Sequence, residues 1–364
     1  MKIEKTKIVE ALSRVKDPQT GQDIVTMNMV ENLKIDGTSI SFTLALPSLS
    51  APNKSELNFA CMEAVTYAYP EANVHVHNAL KENSQQLTNS TLPHVKNIIA
   101  VASGKGGVGK STVAVNLALG LKALGAKVGL IDADLYGPSI PTMLGLQGKR
   151  PIVKDVYGQA KIVPLEYEGM QVMSMGFIIE PEQAVVLRGP RLAGVIRQFF
   201  NDCLWEPLDY MIVDLPPGTG DVQLTLVQTV PVTGVIMVTT PQEVALADAI
   251  KGMNMFLLPS VNVPILGVVE NMSWFTPAEL PNNKYYLFGQ GGGKKLAKAS
   301  NSMLLGQVPI VQSIREAGDN GRPAVLSDEP IGRDAFMNVA KNALRQIMVR
   351  NEFSDATMRV DVKM

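Results

Sequence analysis

The sequence predicts an α/β fold, with a mostly parallel sheet that carries helices on both faces and a small α/β module before it. Three observations lead to this class. Apolar runs of strand length alternate with helical stretches between residues 95 and 350, the pattern of a parallel sheet covered on both sides. A glycine-rich loop follows the first of these strands. A polar segment near residue 90 lies between this region and the N-terminal part, which indicates a domain boundary.

The N-terminal part, residues 1–80, has the pattern of a small α/β module. The predicted elements are helices at residues 3–15 and 53–69 and strands at residues 30–35, 39–46 and 72–76. Asp36 and Gly37 join the first two strands, and this dipeptide is a strong hairpin signal. Residues 81–94 are polar and lack periodicity, as is typical of a linker.

The second predicted domain spans residues 95–350, and residues 351–364 form a polar tail. Its predicted strands lie at residues 98–102, 127–131, 171–175, 210–213, 234–239, 265–269 and 304–308. A helical pattern at residues 112–124 follows the first strand directly. Uninterrupted apolar strands of this length are typical of a parallel sheet that is buried on both faces.

The loop between the first strand and this helix carries the most specific signal. Residues 104–111 read Gly-Lys-Gly-Gly-Val-Gly-Lys-Ser and fit the phosphate-binding pattern Gly-x-x-x-x-Gly-Lys-Ser. Glycines allow the backbone to curl its N–H groups around phosphate oxygens. Lys110 can then reach the β- and γ-phosphates, and the Ser111 hydroxyl can bind Mg²⁺. The helix N-terminus adds its positive dipole end. We therefore predict a P-loop NTPase domain.

Polar side chains follow three further strands at the edge where open α/β sheets bind their ligands. Asp132 and Asp134 end one strand, and Asp214 ends another. Carboxylates in this position suit Mg²⁺, bound directly or through water. The predicted magnesium site therefore uses Ser111, with Asp132 and Asp214 nearby. Asn271 follows a later strand, and its amide offers the donor and acceptor that an adenine edge requires.

The net charge and the length of the apolar runs restrict the kinds of partner that the chain can bind. The chain has 364 residues and a net charge of −1, without the basic face that nucleic-acid binding requires. No apolar run approaches the roughly 20 residues that span a bilayer. We therefore expect neither a nucleic-acid nor a membrane partner. Charged residues at the N-terminus do not suit a signal peptide, and the two cysteines fit a reducing compartment, so the predicted location is cytoplasmic.

The loop resembles the deviant phosphate loop of the dimeric ATPases that include the nitrogenase iron protein, MinD and ParA. Residues 132–139, 214–221 and 270–273 look like the motifs of the Mrp family within that group. Residues 1–80 resemble the SufT-type module that often precedes the Mrp ATPase domain. The resemblance covers about residues 1–350. It implies an iron–sulfur cluster carrier with slow, Mg²⁺-dependent ATPase activity, acting as a homodimer whose partners are apoprotein clients or cluster donors.

The resemblance also assigns roles to single residues. Lys105 looks like the signature lysine that reaches the partner's phosphates across the dimer. Asp134 matches the aspartate that orients the attacking water, and Asp214 matches the one near Mg²⁺. The implied catalytic residues are Lys105, Lys110, Asp134 and Asp214. The implied nucleotide-binding residues are Gly104, Lys105, Gly106, Gly107, Val108, Gly109, Lys110, Ser111, Thr112 and Asn271.

One departure from the family concerns the cluster. The family usually carries Cys-x-x-Cys in the loop after Asn271, which in a dimer supplies four thiolates to a bridging [4Fe–4S] cluster. Here Pro277 and Leu280 stand at those positions. Cys61 and Cys203 lie in predicted helices and are interpreted as buried apolar residues. No iron–sulfur ligand is identifiable, so a [4Fe–4S] cluster is implied by resemblance alone.

Three functions stay open at this point. The first is an ATPase that loads or releases an iron–sulfur cluster. The second is a MinD- or ParA-like switch with ATP-gated binding to a membrane or DNA. A membrane version would need a basic amphipathic tail, and residues 351–364 mix both signs of charge. The third is an ATP-dependent scaffold that recruits another protein's cluster through the small module.

Overall fold

The fold was analysed in a computed structural model. It describes residues 3, 5–18, 23–25, 27, 29–46, 54–80, 92, 94–134, 137–156, 158–178, 189–277, 279–280, 282–354 and 357–360. The chain divides into two compact units, Met1–Thr88 and Asn89–Met364. Most of the predicted linker, residues 81–91 and 93, lies outside the described residues.

The first unit packs two helices against a small sheet. Its elements are α1 (Lys5–Leu12), β1 (Val30–Asp36), β2 (Ser39–Leu46), α2 (Lys54–Ala68) and β3 (Asn73–Leu80). The sheet order is β1-β2-β3, with β1 antiparallel and β3 parallel to β2. The predicted hairpin is confirmed, and Gly37 adopts the left-handed φ of 59° that its turn requires. The first helix is shorter than predicted and the last strand is longer.

The apolar core of this unit accounts for the alternation of buried side chains along β2. Side chains that alternate along β2, including Ile40, Phe42 and Leu44, are almost fully buried. They meet Leu12 of α1 and Cys61 of α2 in one apolar cluster. An alternating strand with one buried face therefore packs against the apolar stripes of two helices.

The second unit is built on an eight-stranded sheet. Its strands are β4 (Val95–Ala102), β5 (Val128–Asp132), β8 (Leu165–Tyr167), β9 (Met170–Ser174), β10 (Leu208–Asp214), β11 (Gly234–Thr239), β12 (Ile265–Glu270) and β13 (Met303–Gln307). The order is β13-β12-β11-β4-β10-β5-β9-β8. Every neighbouring pair is parallel except β8 and β9. The predicted strands and their parallel arrangement are confirmed.

Helices cover this sheet on both faces, and each face has its own apolar core. The helices are α3 (Lys110–Ala123), α4 (Ile140–Met143), α5 (Gly189–Asn201), α6 (Asp221–Thr229), α7 (Glu243–Leu257), α8 (Gly292–Ala299), α9 (Gln312–Asp319) and α10 (Pro330–Phe353). Short 3₁₀ helices occupy Met175–Phe177 and Ala324–Leu326. No helix in the described ranges combines the length and apolarity needed to cross a membrane.

Three features of this unit differ from the sequence prediction. The antiparallel edge strand β8 was not predicted. A two-stranded hairpin of β6 (Ile152–Val156) and β7 (Gln159–Val163) was not predicted. Cys203 was predicted to lie in a helix, and that prediction is wrong because α5 ends at Asn201. Ile162 of β7 donates to the Asp202 carbonyl and accepts from the Leu204 N–H, at 2.8 Å each. This tertiary pairing draws the backbone around Cys203 out of the helix.

The sheet register brings the predicted site residues to one edge. Asp214, the last residue of β10, lies beside Asp132 of β5 and beside Val101 of β4. Asp132 in turn lies beside Ser174, the last residue of β9. Since parallel strands end at the same edge, these carboxylates meet the loop that leaves β4.

Candidate functional site

The phosphate loop leaves β4 and enters α3 around a cavity of about 230 Å³. Gly107 and Gly109 have left-handed φ angles of 80° and 77°, which glycine adopts without steric cost. The lining residues are Ser103, Lys105, Gly106, Gly107, Gly109, Lys110, Ser111, Thr112, Asp134, Gly137, Ser139, Met143 and Pro217. The structure therefore brings most of the predicted nucleotide-binding residues together with Asp134.

Close backbone packing explains the first glycine of the loop. A Cβ atom added at Gly104 would lie 2.1 Å from the backbone of Asp248 in α7. No side chain fits into that distance, so only glycine allows the loop to rest against the helix. Ser103 also stabilises the start of the loop, because its hydroxyl donates to the Lys105 carbonyl at 3.0 Å.

A buried ion pair closes the base of the site. Lys110 Nζ lies 2.5 Å from Asp214 Oδ1, and the two side chains are 6% and 0% exposed. The ammonium group also donates to Ser111 Oγ at 3.3 Å. Burial raises the pKa of the Asp214 carboxyl above its ordinary value, although Lys110 lowers it. Lys110 thus stands between a carboxylate and the cavity that suits phosphate.

The two buried aspartates differ in how many hydrogen bonds their carboxylate oxygens accept. Asp132 accepts hydrogen bonds from Ser174 Oγ at 2.9 Å, from the Asp134 N–H at 3.1 Å and from the Ile140 N–H at 3.4 Å. Burial raises the pKa of Asp132 to about 8, and nearby Asp214 adds to the rise. Asp214 Oδ2 is buried and has no hydrogen-bond partner among the described residues.

This difference indicates which oxygens are suited to a magnesium ion. A buried carboxylate oxygen without a donor is costly, and Mg²⁺ prefers oxygen ligands of this kind. Asp214 Oδ2 together with the Ser111 hydroxyl fits such an ion. Asp132 has its oxygens engaged by protein donors and is suited to hold the surrounding backbone. The predicted set of Ser111, Asp132 and Asp214 therefore separates into two candidate ligands and one supporting residue.

The remaining predicted catalytic residues line the cavity. Asp134 is 9% exposed, and its Oδ1 accepts from the Gly137 N–H at 3.3 Å. Lys105 is exposed at the cavity rim. A carboxylate inside the cavity can orient a water molecule, and an exposed lysine at the rim is accessible to a second molecule. Their roles stay predictions.

Asn271 is placed differently from the other predicted residues. It is 6% exposed, and its Nδ2 donates to the Val108 carbonyl of the phosphate loop at 2.9 Å. A Cβ atom added at Gly109 would lie 2.2 Å from the same nitrogen. The amide therefore supports the outer side of the loop. Its predicted role as an adenine reader stays a prediction.

Sequence reasoning missed two polar residues of the site, Ser103 and Ser174. Ser103 begins the phosphate loop, and Ser174 supports Asp132. Both follow or end an apolar strand at the edge that carries the aspartates. That position is the signal that could have identified them.

The cysteines do not resemble metal ligands. Cys61 is 0% and Cys203 is 7% exposed, and both are free thiols. Burial raises the pKa of each to about 12, so both thiols are protonated at neutral pH, whereas iron is bound by the thiolate. No group of three or more His, Cys, Asp or Glu side chains able to hold a metal occurs among the described residues.

The loop after Asn271 contains one isolated antiparallel bridge and no cysteine. Phe275 and Tyr285 exchange two backbone hydrogen bonds of 2.8 Å. Lys284 Nζ lies 3.9 Å from the centre of the Trp274 ring. Leu280 is 46% exposed and donates its N–H to the Pro277 carbonyl at 3.1 Å. Pro277 and Leu280, which stand at the family's cysteine positions, offer apolar surface and no ligand for iron.

Comparisons with known proteins match both units. A family model described as "NUBPL iron-transfer P-loop NTPase" matches residues 94–344. A second model, "Iron-sulfur cluster assembly protein", matches residues 5–77.

Relatives of similar length are named as carriers. An "Iron-sulfur cluster carrier protein" of Synechocystis sp. is 46% identical over 338 residues, which is 92% of this chain and 95% of the relative. A protein of the same name from Deinococcus radiodurans is 42% identical and covers 94% of this chain and 95% of its own length.

Solved structures match the second unit. A nucleotide-binding protein of Archaeoglobus fulgidus in complex with ADP is 36% identical, with a TM-score of 0.58, over 69% of this chain and 96% of its own. MinD of Pyrococcus horikoshii with Mg-ADP is 24% identical, with a TM-score of 0.52, over 70% of this chain and 99% of its own. The MinD match supports the fold alone.

The buried pair generates a first prediction. Lys110→Met removes the charge that binds phosphate, and each charge-assisted hydrogen bond contributes about 1.5–3 kcal/mol. We expect ADP affinity measured by calorimetry to fall by at least about tenfold. The double variant Lys110→Met/Asp214→Asn is the control, because it leaves no buried carboxylate unpaired. Full ADP affinity in either variant would contradict the site.

The Asn271 contact generates a second prediction. Asn271→Ala removes one hydrogen bond to the phosphate loop, a loss of about 1 kcal/mol. ATP and inorganic pyrophosphate should therefore lose affinity by the same factor, about fivefold. Ser273→Ala is the matched control, since Ser273 is buried in the same turn and its hydroxyl donates to the Glu270 carbonyl at 2.8 Å. A loss restricted to ATP would show that the amide reads adenine.

Proposed function

Because the chain belongs to the iron-transfer P-loop NTPase family, we propose that it hydrolyses ATP and uses the nucleotide cycle to carry an iron–sulfur cluster to apoproteins. One observation supports the ATPase part above all. Lys110, Asp134 and the phosphate loop line one cavity, and Asp214 forms a buried ion pair with Lys110. The carrier part rests on the names of the relatives.

The chain's own groups suit phosphoryl transfer to water. The loop N–H groups and Lys110 hold the phosphates and stabilise the charge that develops on the transferred group. Asp134 orients the attacking water from inside the cavity. Ser111 and Asp214 would hold Mg²⁺, which would neutralise charge on the β- and γ-phosphates. Hydrolysis is slow in this proposal, because the site is complete only when a second molecule supplies Lys105.

The proposed active form is a homodimer. Lys105 is exposed at the cavity rim, so its ammonium can approach the nucleotide of a facing molecule. A cation that arrives only on dimerisation acts like an arginine finger. Nucleotide binding and dimer formation would then be coupled, and hydrolysis would release the dimer.

The cluster is the cargo of this cycle, and the chain's residues restrict how it can be held. Pro277 and Leu280 cannot ligate iron, and the thiols of Cys61 and Cys203 are buried and protonated. This observation favours a second candidate function, an ATP-dependent scaffold that acts on a cluster held by another protein. The small unit, which matches an iron–sulfur cluster assembly model, would contact that protein.

The dimer proposal generates a third prediction. Lys105→Ala should keep its ADP affinity but lose ATP hydrolysis and ATP-induced dimerisation, as measured by phosphate release and light scattering. Asp134→Ala should bind ATP and dimerise, with turnover lowered by about 100-fold or more. Lys149→Ala, which removes another exposed lysine of the same unit, is the control. A monomeric Lys105→Ala that hydrolyses ATP at the normal rate would refute the dimer mechanism.

The cargo proposal generates a fourth prediction. After anaerobic reconstitution with iron and sulfide, the wild type should retain little iron, and Cys61→Ala/Cys203→Ala should retain the same amount. Pro277→Cys/Leu280→Cys installs two thiols per chain and should raise the iron content towards four per dimer, with the visible absorption of a [4Fe–4S] cluster. Near-stoichiometric cluster binding by the double alanine variant would show that ligands other than cysteine hold it.

A further inference from the structure

The loop that connects β10 to α6 has few backbone ties of its own. Its sequence from residue 215 to residue 220 is Leu-Pro-Pro-Gly-Thr-Gly, and proline has no N–H to donate. The Leu215 N–H donates to the Val101 carbonyl at 3.0 Å, and the Gly218 N–H donates to the Ser103 carbonyl at 2.8 Å. Pro217 lines the phosphate cavity. The position of this loop therefore affects the space beside the phosphates.

One side chain forms three further hydrogen bonds to the backbone of this loop. Gln223, on the first turn of α6, is 1% exposed. Its Nε2 donates to the Pro216 carbonyl at 2.9 Å and to the Gly218 carbonyl at 3.0 Å. Its Oε1 accepts from the Gly220 N–H at 2.9 Å. A single amide thus holds three backbone groups of the loop.

The carbonyl oxygen and the NH₂ group of this amide have different roles. The acceptor bond to Gly220 satisfies a free N–H at the start of a helix, as an acidic or amide side chain at this position often does. The two donor bonds hold carbonyl groups of the loop itself. A glutamate of the same length would keep the first function and lose the second. Glutamine, unlike glutamate, can therefore cap the helix and hold the loop carbonyls at the same time.

We propose that Gln223 is a positioning residue for ATP hydrolysis, which holds the loop after Asp214 in the arrangement that engages the γ-phosphate. This inference rests on the proposed ATPase function. In that function the phosphate loop holds the other phosphates, and the side-chain hydrogen bonds of Gln223 to described residues all go to the loop after Asp214. Loss of Gln223 should therefore reduce turnover and recognition of the γ-phosphate, while ADP affinity is retained.

Gln223→Glu is the decisive variant, with Gln223→Ala beside it. Both should show normal ADP affinity by calorimetry, within about twofold. Turnover should fall by between about tenfold and a hundredfold. The ratio of affinities for a non-hydrolysable ATP analogue and for ADP should fall as well. Gln223→Glu should lower the melting temperature, because it sets a buried carboxylate oxygen against the Pro216 and Gly218 carbonyl oxygens. Turnover and affinity are therefore compared at a temperature at which circular dichroism shows every variant to be folded.

Thr225→Val is the matched control on the same helix. Thr225 is 5% exposed, and its hydroxyl donates to the Asp221 carbonyl of its own helix, at 2.6 Å. This variant should keep both the turnover and the affinity ratio of the wild type. If Gln223→Glu also keeps both, Gln223 is merely a helix-capping residue and the inference is overturned.

The affinity ratio separates this inference from the proposed function. A wild type without any ATP turnover would refute the ATPase proposal. In that case the ratio still decides the role of Gln223, because it requires no hydrolysis. A ratio that is unchanged in both Gln223 variants would overturn the inference, whether or not the wild type hydrolyses ATP.

Discussion

The buried ion pair between Lys110 and Asp214 is the interaction on which the rest of the site depends. Two charges out of water are costly unless their geometry is close to ideal and further groups satisfy them. Here the register of the sheet brings the end of β10 beside β4, so that the first residue of α3 reaches Asp214 at 2.5 Å. The same carboxylate retains one oxygen without a donor in the described part of the chain. Asp214 therefore both pairs with Lys110 and keeps one oxygen that suits a metal ion.

Most of the fold and the centre of the site could be predicted from the sequence because their signals are local. The apolar strands, the hairpin at Gly37 and the loop ending at Ser111 each depend on residues that are close together in the chain. The convergence of Asp132 and Asp214 followed from one topological rule, that parallel strands end at a common edge. The structure confirms the fold class and places these residues together.

The parts that could not be predicted depend on contacts between distant segments. Cys203 leaves its helix because a strand about 40 residues earlier pairs with the neighbouring backbone. Asn271 donates to a carbonyl 163 residues away, and an amide in a sequence does not reveal its partner. The contacts of Gln223 have no signal in the sequence, because its three partners belong to a loop whose path the sequence does not specify.

The magnesium dependence of nucleotide binding tests the central role of Asp214 most directly. The affinity for a non-hydrolysable ATP analogue would be measured by calorimetry with Mg²⁺ and with excess chelator, in the wild type and in Asp214→Asn. We expect Mg²⁺ to raise the affinity of the wild type for the analogue and to have little effect on that of Asp214→Asn. The carboxamide in this variant is a weaker ligand for Mg²⁺ than the carboxylate that it replaces. An equal gain from Mg²⁺ in both proteins would contradict the assignment of Asp214.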